Sequence, residues 1–434
     1  MLAGKLNTVL AHCGIKEQFA GKQIALFGVC VLAGLTCHLW LWNVSEPIDL
    51  FSDFYKAYYP AAEYVWQRGP RAGWPFANDG VGGFVNLPIV ANIFIPLLLA
   101  EEAAAGWVFL GFGAAALMAA WFALARMNTG KPWAAAILAL LFFVNGPLVN
   151  SLKEGNTTHF ILLFVLSGIL LWQAGADYWA GVVLGICALV KLPLLLLGVF
   201  FALTGRWKVV AGGATTIGLA LIMSIAVHGW DTNVDWYKST IGVFTGKVIP
   251  ALNVQSLDAF LMRLYLGEKH LFDWMPQELA PAHRIVRMLA FAALAASLIA
   301  LARWTVSQNE RNGKQAHVTS ADLLAFNIVL LLAILFSPVS WTHYYLLLLL
   351  PWSFCISGQV LLPDDRTTKV LMAASVVCCS LPVVTLPMEA GLLASVTVRT
   401  LVSAWFLGGL LCLAAMCRGF GGHAQHQDPT SAGR

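Results

Sequence analysis

Residues 194–205 read LLLLGVFFALTG, a run with no charge and no alternation of apolar and polar side chains. A strand with one wet face alternates with a period of two, and this run does not. Lipid offers no partner for an open backbone amide, so such a run inside a bilayer is a helix. A spanning helix takes about 20 mostly apolar residues. Windows of this kind recur near 24–42, 86–102, 105–126, 133–150, 157–174, 178–203, 209–228, 284–303, 321–337, 342–362, 368–387 and 395–417. They predict an all-α polytopic membrane protein, a single integral domain over 1–434 with about twelve spans. The first window follows Lys16 and Lys22 and lacks a small-residue cleavage pattern, which predicts an uncleaved helix.

Composition agrees. Of 434 residues, 59% are hydrophobic and 11% charged, against roughly 25% charged in soluble domains. Mean hydropathy is +0.74. The net charge of +4 comes without a basic block, so nothing points to a nucleic-acid partner. The nine cysteines, Cys30, Cys37, Cys187, Cys355, Cys378, Cys379 and Cys412 among them, show no C-x-x-C spacing. They predict neither a disulfide framework nor a metal site. No repeat of 20–50 residues is visible, which excludes a solenoid.

Short cytoplasmic loops carry an excess of Lys and Arg. With twelve spans, Lys5, Lys16 and Lys22, the Arg206–Lys208 turn, the Arg303 to Lys314 loop, the Arg366–Lys369 turn and Arg418 share one side. That side is expected to be the cytoplasm, with 419–434 as a flexible tail there. The Arg126–Lys131 loop falls outside and breaks the rule once. Two long loops, 43–85 and 229–283, are expected outside, and long ordered loops tend to carry function.

The first of these holds ten aromatics: Phe51, Phe54, Tyr55, Tyr58, Tyr59, Tyr64, Trp66, Trp74, Phe76 and Phe84. Aromatic rings of this kind favour the membrane–water interface. Ser52 is placed to cap a helix, Pro60 to kink it, and Gly69-Pro70 to end it. The expectation is a helix lying flat on the outer leaflet with Asp53 in its first turn. The helix N-terminus favours an ionised carboxylate there. Such a group suits a general base acting on a hydroxyl, and equally a simple helix cap.

Lys191, in Leu184-Gly185-x-x-Ala188-x-x-Lys191-x-Pro193, sits inside an apolar window. A cation at bilayer depth costs roughly 3 kcal/mol on insertion scales, so it must face protein or a watery cavity. It is either a counter-charge for a ligand, a partner for an acid such as Glu154, or a snorkelling side chain. In the second outer loop, Arg263 follows Asn253-x-Gln255-Ser256-Leu257. Its fork can hold a phosphate or brace the loop. Ser337-Pro338-Val339-Ser340-Trp341-Thr342-His343-Tyr344-Tyr345 turns between two late helices on the outer side. His343 there is a hydrogen-bonding group of a site or part of an aromatic belt.

The stretch Asp53-Phe54-Tyr55-x-x-Tyr58-Tyr59-x-Ala61-Ala62, then Gly69-Pro70, resembles the first outer loop of glycosyltransferase family 87. The Lys191 element with Arg206-Trp207-Lys208, the Asn253 to Arg263 element and the Ser337 to His343 run resemble further family motifs, in the family's order. The likeness runs from about residue 48 to 355. Glu154-Gly155-Asn156 stands where the family often shows Gly-Gln-x-Asn, and the poor match assigns it no role. The resemblance implies a GT-C-like bundle with interfacial helices in its outer loops and a polyprenyl-phosphate sugar, mannose first, as donor. It implies a glycolipid or envelope glycan as acceptor, at the outer face of a bacterial inner membrane. Asp53 becomes the base, with Asp49 the fallback. Tyr55, Tyr58, Tyr59, Lys191, Asn253, Ser256, Arg263, Trp341 and His343 become donor or acceptor contacts. No cofactor is implied, and the outer loops hold no D-x-D pair for a metal. A transporter or lipid flippase is the rival, but it would place ionisable groups near the midplane, where only Lys191 is expected. A non-catalytic assembly factor would need no interfacial acid, histidine and arginine on three outer segments.

Overall fold

The computed structural model describes parts of 29–39 and residues 50–71, 83–127, 132–311, 318–383 and 399–425. The loop helix starts with a π turn, Phe54–Tyr58, and continues as α1, Tyr59–Arg68. A 3₁₀ segment, Pro88–Leu99, leads to α2, Glu102–Arg126. Then come α3, Pro132–Val144; α4, Gly146–Lys153; α5, Thr158–Gln173; and α6, Asp177–Val190. A 3₁₀ turn at Leu192–Leu194 opens α7, Leu195–Leu203, followed by α8, Trp207–His228. The second long loop contains α9, Trp230–Trp236, and α10, Leu257–Leu266. The chain closes with α11, Pro281–Arg311; α12, Ser320–Leu335; a 3₁₀ run Thr342–Leu348 into α13, Leu349–Ser357; α14, Arg366–Ser380; and α15, Ala404–Gln425. Among the described residues the one sheet is a two-stranded antiparallel ladder, β1 Lys247–Val248 on β2 Gln277–Glu278. Helices α2, α8 and α11 are long and apolar enough to cross a membrane alone. The pair α3 and α4, bent by 56°, makes a fourth if taken as one span.

The core follows from composition. Helix α12 is apolar on every face and buried on every face, as expected of a central helix. Its start is fixed by a capping box between Thr319 and Asp322. Helices α6 and α8 touch backbone to backbone: a Cβ on Gly181 would stand 1.9 Å from the Val209 carbonyl oxygen, and one on Gly212 2.0 Å from that of Tyr178. Small residues permit such contact, the usual way helices associate in lipid. The second loop is pinned to α11 by buried Asp258, which meets His283 at 3.1 Å and Arg287 at 2.7 Å.

The bundle has two ends. At one, Tyr55 of the loop helix donates to the Ala103 carbonyl at the start of α2. The 3₁₀ segment stays at this same end: Ile89 donates to Ser224 and Asn92 meets His228, both near the end of α8, while Phe94 stacks on Tyr58 at 4.8 Å. Residues 86–102 are therefore not a span. The expected span 178–203 also differs, being two helices of opposite direction. Lys191 bonds Asn156, just before α5, whereas Phe201 packs on Trp172, at the far end of α5, at 4.9 Å. Helix α5, 16 residues long, separates these levels by about 24 Å. Lys191 is thus not at mid-bilayer but at a turn level with Asp53.

These two departures cancel in number but exchange the ends of everything between 102 and 190. Arg126 now shares an end with Arg206, Asp322, Asn309, Asp365 and Arg418, which are joined by contacts of 3.4 Å (Arg206–Asp322), 3.0 Å (Asn309–Asp322) and 2.5 Å (Arg418–Asp365). The single exception to the basic-loop rule disappears. At this same end α15 runs on past Arg418 to Gln425, so the expected tail from 419 begins as helix. Most of the first expected span, Asp49, Trp74 and Phe76, and parts of the last two spans lie outside the described residues.

Candidate active site

Phe51 sets the site's geometry. Its φ is +61°, and its N–H donates to the Lys153 carbonyl at 2.6 Å. The next free amides, of Asp53 and Phe54, donate to the Glu154 carbonyl at 2.8 and 3.3 Å. The orphan donors of the loop helix are thus met by the end of α4 and not by a Ser52 cap. Gly155 makes the approach possible: its φ is +63°, and a Cβ there would stand 2.8 Å from Cβ of Phe54. Pro60 lies in the first turn of α1, where its missing N–H costs nothing, and the helix runs on to Gly69.

A π turn bonds residue i to i+5. It places Asp53 and Tyr58 on one face, and both meet the side-chain amide of Asn156. Asn156 Nδ2 donates to Asp53 Oδ2 at 2.6 Å and to the Tyr58 hydroxyl at 3.4 Å. Asn156 Oδ1 accepts from the Thr158 amide at 3.1 Å, the Thr158 hydroxyl at 2.8 Å and Lys191 Nζ at 3.1 Å. Three donors on one oxygen fix which way the amide points. The Lys191 ammonium also stands 4.8 Å above the ring of Tyr344, a cation–π contact. Asn150 donates to Thr342 at 3.0 Å beside it.

Two buried histidines complete the cluster. His159 Nδ1 pairs with Ser151 Oγ at 3.1 Å, and its Nε2 abuts α2 at Gly113, where a Cβ would stand 2.3 Å away. His343 lies within electrostatic reach of Lys191 and His159, and its Nε2 has no hydrogen-bond partner among the described residues. Asp53 itself is half-buried. Loss of water pushes its carboxyl above the ordinary aspartate value, against the Asn156 hydrogen bond and the charges of Lys191 and Lys56. The expected N-terminal dipole effect is therefore outweighed, and the group is a better base for it.

An apolar groove of about 500 Å³ runs beside the cluster, lined by Val190, Leu192, Leu196, Leu294, Phe336 and Trp341, and by Tyr344, whose ring Lys191 meets. Its volume lies in the range of small-ligand sites.

The other expected site residues are placed differently. Tyr55 is engaged with the Ala103 carbonyl, and Tyr59 packs on Phe54 at 5.8 Å. Asn253 Oδ1 accepts from the Trp274 indole at 3.0 Å. Ser256 caps α10 through the Ala259 amide at 3.2 Å. Arg263 is fully buried, and its fork is occupied: Nη1 donates to the carbonyls of Pro250, Ala251 and Val254, and Nη2 to Ser403. These bonds brace the second loop, and Nε has no partner among the described residues. Arg263→Met should deprive the buried carbonyls of Pro250 and Val254 of this donor, at about 1–3 kcal/mol each, while Ala251 keeps the Val254 amide at 3.0 Å. A fall in the thermal midpoint in detergent with unchanged donor affinity is the expected result. An unmoved midpoint with weakened donor binding would return Arg263 to the phosphate.

Asn156, Tyr344 and His159 were not singled out from the sequence. Only the motif position of Asn156 hinted at it, and the twelve-span partition put that turn on the opposite side from Asp53.

Asp53, Asn156 and Lys191 thus form one acid–amide–cation chain beside an apolar groove in a helical membrane domain, the candidate active site. The chain belongs to glycosyltransferase family 87, whose model matches residues 84–338. It is a membrane glycosyltransferase. It is 24% identical over 316 residues, 66% of this chain and 67% of the relative, to the polyprenol-phosphate-mannose-dependent alpha-(1-2)-phosphatidylinositol mannoside mannosyltransferase of Mycolicibacterium smegmatis. No solved structure matches it.

Proposed function

We propose that this glycosyltransferase moves a sugar, mannose first, from a polyprenyl-phosphate donor to a hydroxyl of a glycolipid or envelope glycan. The observation that carries the reading is the Asp53–Asn156–Lys191 chain beside the apolar groove, which Tyr344, under the Lys191 ammonium, lines. The polyprenyl tail lies in the groove, which brings its phosphate to Lys191 and His343. Asp53 takes the proton of the acceptor hydroxyl as its oxygen attacks the anomeric carbon. The bond from that carbon to the phosphate oxygen breaks on the opposite face, so configuration inverts. Lys191 offsets the charge on the departing lipid phosphate, in a site where water is scarce and a fixed charge acts strongly. Of the two cations first considered, Lys191 fits because the Arg263 fork is already filled. Asn156, which also donates to the Tyr58 hydroxyl, holds the Asp53 carboxylate in place.

The test is to incubate the purified protein with radiolabelled polyprenyl-phosphate-mannose and a membrane lipid extract. A labelled, chromatographically new lipid or glycan is expected. Donor consumed by neither acceptor nor water would overturn the reading.

The short basic turns gathered at the end opposite Asp53 support a reaction at the outer face of a bacterial inner membrane. A cysteine at the exposed position Lys269 should then react with an impermeant thiol reagent in intact cells whose other cysteines have been replaced. Labelling only after lysis would reverse the orientation.

A further inference from the structure

A second carboxyl stands beside Asp53 and has no part in the transfer as described. Glu154 ends α4, and its carbonyl accepts from the amides of Asp53 and Phe54. Its carboxyl is hydrogen-bonded to Ser52, the residue before Asp53, and lies 3.9 Å from Lys153 Nζ. Its side chain is 25% exposed, so it reaches water. Asp53 has one oxygen held by Asn156, with Lys191 and Tyr344 beyond. Glu154, Ser52 and Asp53 are each part-exposed, whereas Asn156 and Lys191 are buried behind them. A base that has accepted a proton in such a place must pass it outward before the next cycle, and Asn156 and Lys191 block the inner side.

We propose that Glu154 is the proton exit of this site, receiving from Asp53 the proton of the acceptor hydroxyl and releasing it to water. This rests on the reading of Asp53 as the base. The acceptor O–H bond breaks as an Asp53 O–H bond forms. That bond then breaks as a Glu154 O–H bond forms, and water or buffer removes the proton. The polyprenyl phosphate leaves with its own electron pair and needs none of it. Burial and the Asp53 charge raise Glu154 to about 7, against Lys153, the Ser52 hydrogen bond and Lys56. A group poised there both takes and gives a proton near neutrality. The charged and titratable groups around the pair are Lys56 and Tyr58 from the loop helix, Lys153 from α4, His159 from α5, Lys191 from the α6–α7 turn, and His343 and Tyr344 after α12.

Glu154→Gln keeps the Ser52 partner and the backbone carbonyl, so the fold and donor binding should persist. With polyprenyl-phosphate-mannose and the lipid extract, turnover at neutral pH should fall about tenfold or more, since positioned proton transfer is worth at least that. The acidic limb of the wild-type rate profile, set by the Asp53 carboxyl, should move to lower pH, because the neighbouring negative charge is gone. Glu154→Asp should restore part of the rate. A wild-type rate and an unmoved limb in Glu154→Gln, beside an inactive Asp53→Asn, would overturn the exit and spare the base. Wild-type behaviour in both variants would overturn the base itself. Infrared titration gives a measurement independent of turnover. In Asp53→Asn the Glu154 midpoint should drop below its wild-type value, and an unmoved midpoint would show that the two carboxyls do not interact.

Discussion

Replacing Asp53 with asparagine is expected to lower turnover by roughly 100- to 10,000-fold, the usual worth of general base catalysis, while leaving the protein folded and able to bind donor. The substitution isolates chemistry from architecture. The Asp53 side chain caps no helix, since the amides at the start of the loop helix are met by the Glu154 carbonyl. Its one side-chain hydrogen bond, from Asn156 Nδ2 at 2.6 Å, can be accepted by the asparagine carbonyl just as well. What asparagine cannot do is take a proton at neutral pH. A merely structural Asp53 would thus leave activity and thermal midpoint both close to wild type. Asp49→Asn, in the residues before the described loop helix, is the control and should be milder. Full activity in Asp53→Asn, or a larger loss at Asp49, means that another carboxylate is the base.

Lys191→Met is the second large effect, with kcat/KM expected to fall roughly 100- to 1,000-fold, the scale of losing one preorganised charge at the reacting centre. Methionine fills much of the same space beside Tyr344. The change removes the ammonium that bonds Asn156 Oδ1 at 3.1 Å and offsets the Asp53 carboxylate. The desolvation cost of the buried cation disappears, but the Asp53 carboxylate loses a compensating charge, so the thermal midpoint should fall modestly. The signature is therefore a folded protein whose loss of donor turnover far exceeds its loss of stability, read from the thermal midpoint and initial rates on one preparation. A kcat/KM within threefold of wild type would show that the phosphate charge is met elsewhere. Lys191→Arg is informative beside it: the guanidinium keeps the charge but is a planar fork and not a point charge, so it should rescue only in part.

The helical membrane class was legible because every window, 194–205 first among them, excludes water-facing strands. Asp53, Lys191 and His343 were legible as residue types out of place: an acid among aromatics, a cation in an apolar run, a histidine in a helix-turn motif. Residues 86–102 show where composition misleads. The segment is as apolar as a span, yet Phe94 and Asn92 pack it against Tyr58 and His228 at the Asp53 end. Hydropathy measures whether a segment avoids water, and burial against protein satisfies that as well as lipid does. The opposite error at 178–203 has the same origin. Two short helices that turn at Lys191-Leu192-Pro193 read as one long, interrupted span: Pro193 marks a weak point in the helix, but a break in composition does not say that the chain reverses there.

Arg263 and Asn156 divide what each level of description can decide. The sequence determined the membrane class, the order of motifs and the candidate charges, since these depend on residue type and local spacing alone. It left open which charge meets which. Arg263 has the chemistry of a phosphate ligand, and only the folded second loop spends its fork on the carbonyls of Pro250, Ala251 and Val254. Asn156 has no chemistry that singles it out. It becomes the link between Asp53 and Lys191 because α4, α5 and the α6–α7 turn bring residues 53, 156 and 191 to one end of the bundle. A polar side chain's partner in a dry interior is set by which helix ends share a level, and that is a property of the tertiary packing.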